Sequence, residues 1–190
     1  MTVVDDRIEM AADSLDLLFE QVKSVPEGYH VEIVGGTIHM SPQRDAHWQI
    51  IRRIVRALED TFGMDVKVTS DVRIDFPGHL NGFAPDVAKL RADAAKDARG
   101  RWRYQDVELI AEVISEGTAT NDYGPKKAAY AAAGVPVYLI ADPYTGVCHV
   151  FTYPKDDEYH GTVTLDFGYP VDLTGTAVGL TLETGGFPRD

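Results

Sequence analysis

The chain has 190 residues, of which 44% are hydrophobic and 25% charged, a composition typical of a globular protein with a full core. Eighteen Lys and Arg against thirty Asp and Glu give a net charge of −12, which argues against a basic nucleic-acid-binding surface over the whole chain. The single cysteine, Cys148, excludes an intramolecular disulfide, and no apolar run approaches the ~20 residues of a membrane span. With no signal-peptide pattern at the start, we expect a single cytoplasmic domain over residues 1–190 without membrane contact.

The first half of the chain predicts helices and short strands in alternation. Apolar residues at helical spacing predict two helices, and a glycine pair between two extended runs predicts a β-hairpin. Serine followed by proline suits the start of the second helix, and glycine suits its end. In order, the predicted elements are a helix over 11–24, hairpin strands at 31–34 and 37–40, a helix from Ser41-Pro42 to Gly63, and strands near 64–69, 71–76 and 84–90.

The second half predicts a parallel crossover followed by a closing hairpin. A strand at 107–114, an alanine-rich helix at 122–133 and an apolar strand at 135–141 form a strand–helix–strand unit, which requires parallel pairing. Extended runs at 147–153 and 161–167 predict an antiparallel hairpin. The fold class is therefore α/β (α+β), with a mixed sheet flanked by helices.

Two acidic residues are placed where strands are expected. Alternation along the strand at 107–114 puts Glu112 on the same face as Glu108, Ile110 and Ile114, and a carboxylate among such neighbours is costly unless a cation or donors meet it. Asp86 lies in the strand predicted upstream. Two acids from neighbouring strands are the ligands that a hard divalent cation needs.

An ordered set of residues around these acids resembles the Uma-type "putative restriction endonuclease" family of the PD-(D/E)xK nuclease superfamily. The resemblance covers roughly residues 25–145. It rests on Glu32, Gly35-Gly36, Met40-Ser41-Pro42, His47, Pro85-Asp86, Glu112-Val113-Ile114-Ser115, Thr118, Asp122, Lys126, Tyr130, Gly134-Val135-Pro136, Tyr138 and Asp142.

The resemblance implies a restriction-endonuclease-like core with extra β-hairpins at both ends, DNA as substrate and a homodimer. It implies that Asp86, Glu112 and the main-chain carbonyl of Val113 hold Mg²⁺ or Mn²⁺. The chain departs from the superfamily where Ile114 replaces the usual lysine, and the resemblance implies that Lys126 takes that role. Asp122 is expected to cap the helix that carries Lys126.

Several of these residues have a simpler structural interpretation. Lys126 is alternatively a surface lysine of a first helical turn, and Lys127 beside it competes for the functional role. Glu32 resembles the family's upstream acid but is almost equally a solvent-facing hairpin residue. His47 is a candidate base or phosphate contact, whereas a histidine on an apolar helix stripe is more often a hydrogen-bonded core residue. The six histidines lack metal-ligand spacing, which argues against a zinc site.

Two functions follow from this sequence. The two central acids favour a Mg²⁺-dependent endonuclease with Asp86, Glu112, Lys126, Glu32 and His47 as catalytic residues. The net charge of −12 and two modest arginine segments, at 44–56 and 99–103, favour a nuclease fold that no longer cuts and acts as a binding or assembly protein. We favour the endonuclease, because a retired site has little reason to keep a carboxylate in an apolar strand.

Overall fold

A computed structural model of the protein describes residues 13–22, 29–42 and 44–190. Residues 13–21 form helix α1, which agrees with that part of the predicted helix over 11–24. The remaining ends of that helix prediction, at 11–12 and 23–24, lie outside the described residues. The chain start, interpreted above as lacking a signal-peptide pattern, also lies outside the described residues.

The N-terminal hairpin belongs to a sheet of five strands. Strands β1 (Tyr29–Val34) and β2 (Thr37–Pro42) pair antiparallel, and Gly35 and Gly36 between them both have positive φ, which glycine adopts at little cost. The sheet order is β2-β1-β5-β4-β7, with β4 at Ile74–Phe76, β5 at Asn81–Phe83 and β7 at Trp102–Arg103.

The second predicted helix begins later than its sequence signals suggest. Strand β2 continues through Pro42, and Ser41 pairs with His30 instead of capping a helix. Helix α2 runs from Asp45 to Phe62. Pairing with β1 satisfies the backbone of this segment, so the local serine–proline signal is overridden by the sheet. The predicted end of the helix at Gly63 is confirmed.

A six-stranded mixed sheet forms the centre of the fold. Its order is β11-β10-β9-β8-β6-β3, with β3 at Val68–Thr69, β6 at Val87–Leu90, β8 at Val107–Val113 and β9 at Val137–Asp142. Strands β8 and β9 run parallel, as the crossover predicts, and the closing hairpin of β10 (Val147–Lys155) and β11 (Glu158–Asp166) is antiparallel. The prediction of a mixed sheet flanked by helices is confirmed.

The strands upstream of β8 are shorter than predicted. The predicted strand at 84–90 begins only at Val87, as β6, and the preceding strand β5 ends at Phe83 in the other sheet; the segment between them contains Pro85. Proline cannot donate a ladder hydrogen bond, so the chain leaves one sheet here and joins the other. Asp86 therefore lies directly before β6 and not within a strand.

The segment after β8 contains a π-helical turn. Helix α3 (Ala119–Asn121) leads into a π-helical turn at Asp122–Lys126, which contains Pro125, and then into helix α4 (Lys127–Ala132). The helical region thus begins before Asp122, so Asp122 is not its N-cap. Such single π turns are frequently found at functional sites.

Strand β8 separates two hydrophobic cores. One face, carrying Leu109, Ala111 and Val113, packs against the buried stripe of α2. The other face carries Ile110 and Ile114 and packs against aromatic residues including Phe83, Tyr130 and Tyr138. Glu112 alternates with Ile110 and Ile114, so its carboxylate enters the aromatic side of the fold.

The C-terminal region extends the first of these cores. Strands β12 (Val171–Asp172) and β13 (Thr181–Leu182) pair with each other, and Val171 and Leu182 join that core. Cys148 is fully buried there, and burial raises the pKa of its thiol to about 12. None of the described helices is both long enough and apolar enough to cross a membrane.

Candidate active site

A narrow polar cleft lies where the two large sheets meet. Its volume of about 20 Å³ is enough for one water molecule or one bare ion. The acidic and basic side chains that line it are Glu32, Asp86, Glu112, Asp122, His30, His47 and Lys126. Four carboxyl groups and three basic groups thus face a space that holds one water molecule or ion. All five residues predicted as catalytic line this space.

Asp86 and Glu112 are brought together by the pairing of β6 with β8. Val87 is the partner of Ala111, which puts Asp86 beside Glu112 at the end of the ladder. The backbone N–H of Asp86 donates to Glu112 Oε2 at 3.1 Å, and that of Val113 donates to Asp86 Oδ2 at 2.7 Å. Each acid is therefore held by the backbone beside the other, and the expected convergence of their carboxylates is observed.

Glu112 is only 2% exposed. Tyr130 donates its hydroxyl hydrogen bond to Glu112 Oε1 at 2.6 Å, and Lys126 Nζ lies 2.8 Å from the same oxygen. Burial raises the pKa of Glu112, and the charges of Asp86, Asp122 and Glu32 add to this effect while Lys126 opposes it. Such a shift, produced by burial and specific charges together, is characteristic of functional sites.

Lys126 is the centre of a group that we call the cleft cluster, consisting of Lys126 with Glu32, Glu112 and Asp122. Its Nζ lies 2.9 Å from Glu32 Oε2, 2.8 Å from Glu112 Oε1 and 2.9 Å from Asp122 Oδ1. Lys126 is only 2% exposed, so the interpretation as a surface lysine is wrong. Burial lowers its pKa, but the three carboxylates prevail and raise it well above the usual value.

The π-helical turn explains how Asp122 and Lys126 meet. Both are buried, and they lie at opposite ends of the turn on the side that faces the cleft. Asp122 was expected to cap the helix, but its side chain binds Lys126 and its main-chain carbonyl accepts from the Tyr138 hydroxyl at 3.0 Å. Lys127 points elsewhere, with its Nζ 4.5 Å from the ring centre of Phe151. Lys126 is thus the lysine that reaches the acids.

Glu32 enters the cleft from strand β1. It is 5% exposed, so the interpretation as a solvent-facing hairpin residue is wrong. Its Oε1 accepts from the backbone N–H of Ala84 at 2.9 Å, and its Oε2 binds Lys126. Burial raises the pKa of Glu32, but Lys126 and His30 prevail and lower it to about 2. Glu32 is therefore a permanent anion at neutral pH.

His30 is a cleft residue that the sequence patterns above did not predict. Its Nε2 lies 3.5 Å from Glu32 Oε1 and its Nδ1 lies 2.7 Å from Asp71 Oδ1. Burial lowers the pKa of His30, but the hydrogen bonds and charges of these two acids raise it to about 10. Its position two residues before Glu32 in a strand puts both side chains on one face, and that spacing was the available signal.

His47 links helix α2 to Asp86. Its Nε2 lies 3.1 Å from Asp86 Oδ2, and its side chain is 17% exposed. Burial lowers the pKa of this imidazole, but Asp86 and Glu112 raise it above the usual value. His47 is therefore hydrogen-bonded, as a core histidine would be, and it also faces the cleft.

The donor set around Asp86 and Glu112 fits a magnesium ion. Each carboxylate offers about four lone-pair sites, and the contacts above leave one of these sites free on Glu112 Oε2. Asp86 Oδ1 has no hydrogen-bond partner among the residues that the structure describes. The Val113 carbonyl belongs to the residue that directly follows Glu112 in the chain. The described part of the chain holds no group of three His, Cys, Asp or Glu side chains arranged for a metal. Mg²⁺, however, is often bound by one or two carboxylates together with waters and phosphate oxygens.

The two arginine segments differ in how far they are neutralised. Arg99, Arg101 and Arg103 each form ion pairs with aspartates, so the positive charges of the second segment are largely neutralised within the protein. In the first segment, Arg44 contacts Glu116. Arg52 and Arg53 are exposed on α2 and have no ion-pair partner within the described ranges.

Comparison with known proteins agrees with this geometry. The family model named Uma2, described as "putative restriction endonuclease", matches residues 17–185. The chain belongs to the Uma2 family. This match covers both large sheets and every residue of the cleft, and the resemblance seen in the sequence is confirmed.

One solved structure supports the same fold. The chain is similar to a crystal structure described as "a putative nuclease belonging to DUF820" from Anabaena variabilis ATCC 29413, with a TM-score of 0.65 and 15% sequence identity. The alignment covers 83% of this chain and 88% of that one. No curated protein matches the chain. At this identity the likeness concerns the fold, and it supports a nuclease-like architecture.

Proposed function

We propose that this Uma2 protein is a divalent-metal-dependent endonuclease that hydrolyses phosphodiester bonds of DNA. The observation that carries the proposal is the meeting of Asp86, Glu112 and Lys126 in one cleft, held by 2.7–3.1 Å contacts. An acid pair with a lysine beside it can support phosphodiester hydrolysis, because a metal on the acids can activate the attacking water and the lysine can stabilise the phosphate charge.

Asp86, Glu112 and the Val113 carbonyl would hold Mg²⁺ or Mn²⁺. Such an ion, when bound, lowers the pKa of a coordinated water and neutralises charge on the phosphate. Tyr130 keeps Glu112 oriented, since its hydroxyl holds one carboxylate oxygen and leaves Oε2 toward Asp86. The backbone N–H of Val113 does the same for Asp86.

Lys126 provides the positive charge that Ile114 cannot. Ile114 is buried in the aromatic core, whereas the Lys126 ammonium lies 2.8 Å from Glu112. A phosphate beside Glu112 would therefore be within reach of Lys126, which stabilises the charge that develops on its oxygens. Glu32 and Asp122 hold the ammonium from its other sides and keep it protonated.

His47 and Glu32 are proposed to orient groups in the cleft through hydrogen bonds. His47 lies against Asp86, where it can orient this carboxylate or contact an incoming phosphate. Glu32 remains ionised at neutral pH, and its Oε2 lies 2.9 Å from the Lys126 ammonium. It can accept a hydrogen bond from a water that approaches the cleft.

The test is cleavage of supercoiled plasmid DNA with Mg²⁺, with Mn²⁺ and with EDTA. We expect nicked and linear products with either metal, none with EDTA, and none from Asp86→Asn or Glu112→Gln. Glu108→Gln is a matched control on the same face of β8, because Glu108 pairs with Lys89 and does not line the cleft. Equal cleavage by wild type and Glu112→Gln would refute the proposal.

A non-catalytic binding or assembly role is the second candidate. The observation that favours it is the closed state of the cleft cluster, in which three carboxylates surround the one ammonium. Calorimetric titration with Mn²⁺ separates the two functions. Metal binding without any cleavage supports the second candidate, and metal binding with cleavage supports the first.

We also propose that the protein is a homodimer, since cutting two strands commonly uses two sites related by two-fold symmetry. Strand β11 lies at one edge of the six-stranded sheet, and Val163 in it is 54% exposed. Such an edge can pair with another strand. Light scattering at micromolar protein should give twice the monomer mass, and a monomer mass would remove the proposal.

A further inference from the structure

A groove of about 480 Å³ runs along the outer face of helix α2, and we call it the α2 groove. Its volume lies within the ~300–1,000 Å³ range of small-molecule sites. Apolar side chains form its floor, notably Val55, Trp48 at 52% exposure and Met64 at 78% exposure. A tryptophan and a methionine this exposed, both lining one concave surface, indicate a place where something binds.

The α2 groove adjoins the cleft on two sides. Trp48 lines the groove and directly follows His47, which lines the cleft. On the opposite wall Ser70 lines the groove, and the next residue, Asp71, binds the cleft residue His30. A nucleic-acid strand that leaves the cleft along α2 would therefore reach the groove next.

The charge of the groove favours an anionic group of the occupant at the end near the cleft. Arg52 follows Trp48 by one helical turn, lines the groove and has no ion-pair partner in the part of the chain that the structure describes. One more turn along, Arg56 contacts Asp60 at 3.5 Å, and Glu59 lines the same end of the groove. The cationic end is thus short and next to the cleft, and the acidic end limits how far a polyanion extends.

We infer that the α2 groove binds one or two unpaired nucleotides that flank the cleaved phosphodiester, with a base stacked on Trp48 and a phosphate on Arg52. This inference rests on the proposed nuclease function and specifies its substrate as nucleic acid with a single-stranded segment. Stacking on an exposed aromatic requires a base that has left the duplex, and it tolerates any base because each has a π face. The groove lacks the extended basic surface that a duplex backbone would need.

The first experiment uses the full chain in EDTA, so that binding is measured without cleavage. In a Trp102→Phe background, Trp48 is the one remaining tryptophan of the sequence, and its fluorescence reports on the groove. We expect a single-stranded DNA dodecamer to quench this fluorescence, and a blunt duplex of the same sequence to have little effect. Absence of quenching by the single strand would overturn the inference.

Variants separate the groove from general charge. With a labelled dodecamer, Trp48→Ala should weaken binding about 5- to 150-fold. Arg52→Ala should weaken it about three- to ten-fold and lower the salt slope by about 0.7. Arg53→Ala is the matched control, because Arg53 is the next residue of the same helix and is also exposed, but it lies beside Gly186 and not in the groove. An equal loss in Arg52→Ala and Arg53→Ala would overturn the inference.

Parallel plasmid cleavage keeps this inference distinct from the proposed function. Cleavage by wild type together with unchanged dodecamer binding by Trp48→Ala would overturn the groove assignment and leave the nuclease intact. Groove-dependent binding without any cleavage would support the assignment and refute the nuclease. If Trp48→Ala changes the oligomeric state in light scattering but not DNA binding, the groove is a protein interface and the inference is wrong.

Discussion

Two clusters of ion pairs in this protein differ in burial and in charge balance. In the cleft cluster, one lysine meets three carboxylates, and each of these side chains is at most 7% exposed. In what we call the surface cluster, Arg73 and Arg101 meet Asp16 and Asp75, in equal numbers and with side chains 19–35% exposed. The surface cluster is balanced, whereas the cleft cluster has an excess of buried acid.

The difference shows which cluster the fold alone can explain. Balanced ion pairs in contact with water cost little and contribute modestly to stability. Buried acids in excess of their cations are unfavourable, and apolar residues of similar size would often be as stable or better. The cleft cluster therefore points to a use for its charge, and the surface cluster points to attachment of α1 to the five-stranded sheet.

The largest effect is expected at the centre of the cleft cluster. Lys126→Ala should reduce DNA cleavage about 10²- to 10³-fold, because a donor aimed at the phosphate is lost. It should also lower the free energy of unfolding by about 3–5 kcal/mol, since three buried carboxylates lose their cation. Plasmid cleavage and urea denaturation measure the two effects.

Lys127→Ala is the control for this substitution. Its ammonium lies over Phe151 on a half-buried surface, so we expect a loss below about 1 kcal/mol and near-normal cleavage. If both lysine variants cut as well as wild type, Lys126 does not act on the phosphate.

Metal stabilisation should depend on the acid pair. A ligand at 100 times its Kd stabilises a protein by about 2.7 kcal/mol, so Mg²⁺ or Mn²⁺ should raise the Tm of the wild type. Glu112→Gln keeps the shape of the side chain and should abolish the rise. Glu108→Gln should retain it, because its partner Lys89 lies away from the cleft. Equal rises in both variants would remove the proposed metal site.

The pH dependence of stability should report on His30. Its pKa is raised in the folded state to about 10, against a usual value of 6.5. A raised pKa contributes stability that is fully present below the unfolded value and is lost as pH rises through the folded value. Half-exposed Asp71 is partly screened by water, so we expect a loss of about 2 kcal/mol between pH 6.5 and 10. His30→Gln should flatten this part of the stability profile, and an unchanged profile would contradict the assignment.

The smallest effect is expected in the surface cluster. Arg101→Ala should lower the free energy of unfolding by about 1 kcal/mol, with a smaller loss at high salt, because its partners are in contact with water. Cleavage should not change. A loss as large as that of Lys126→Ala would show that the two clusters do not differ as proposed.

Patterns between near neighbours in the chain predicted much of the fold. Alternation and turn residues located both hairpins, and the strand–helix–strand order predicted the parallel pairing of β8 with β9. The errors occurred where the sheet overrode a local signal. Ser41-Pro42 has the residue types of a helix start but extends β2, and the segment around Pro85, predicted as strand, connects β5 of one sheet to β6 of the other.

The sequence by itself determined the order of the elements and the presence of acids in apolar surroundings, because these follow from residues a few positions apart. Only the tertiary structure decided which groups meet. Lys126 and Glu32 are 94 positions apart and touch because the five-stranded sheet and the π-helical turn close on the same end of β8. The charge state of Glu112 depends on that closure, since burial and partners beyond its own strand control its pKa.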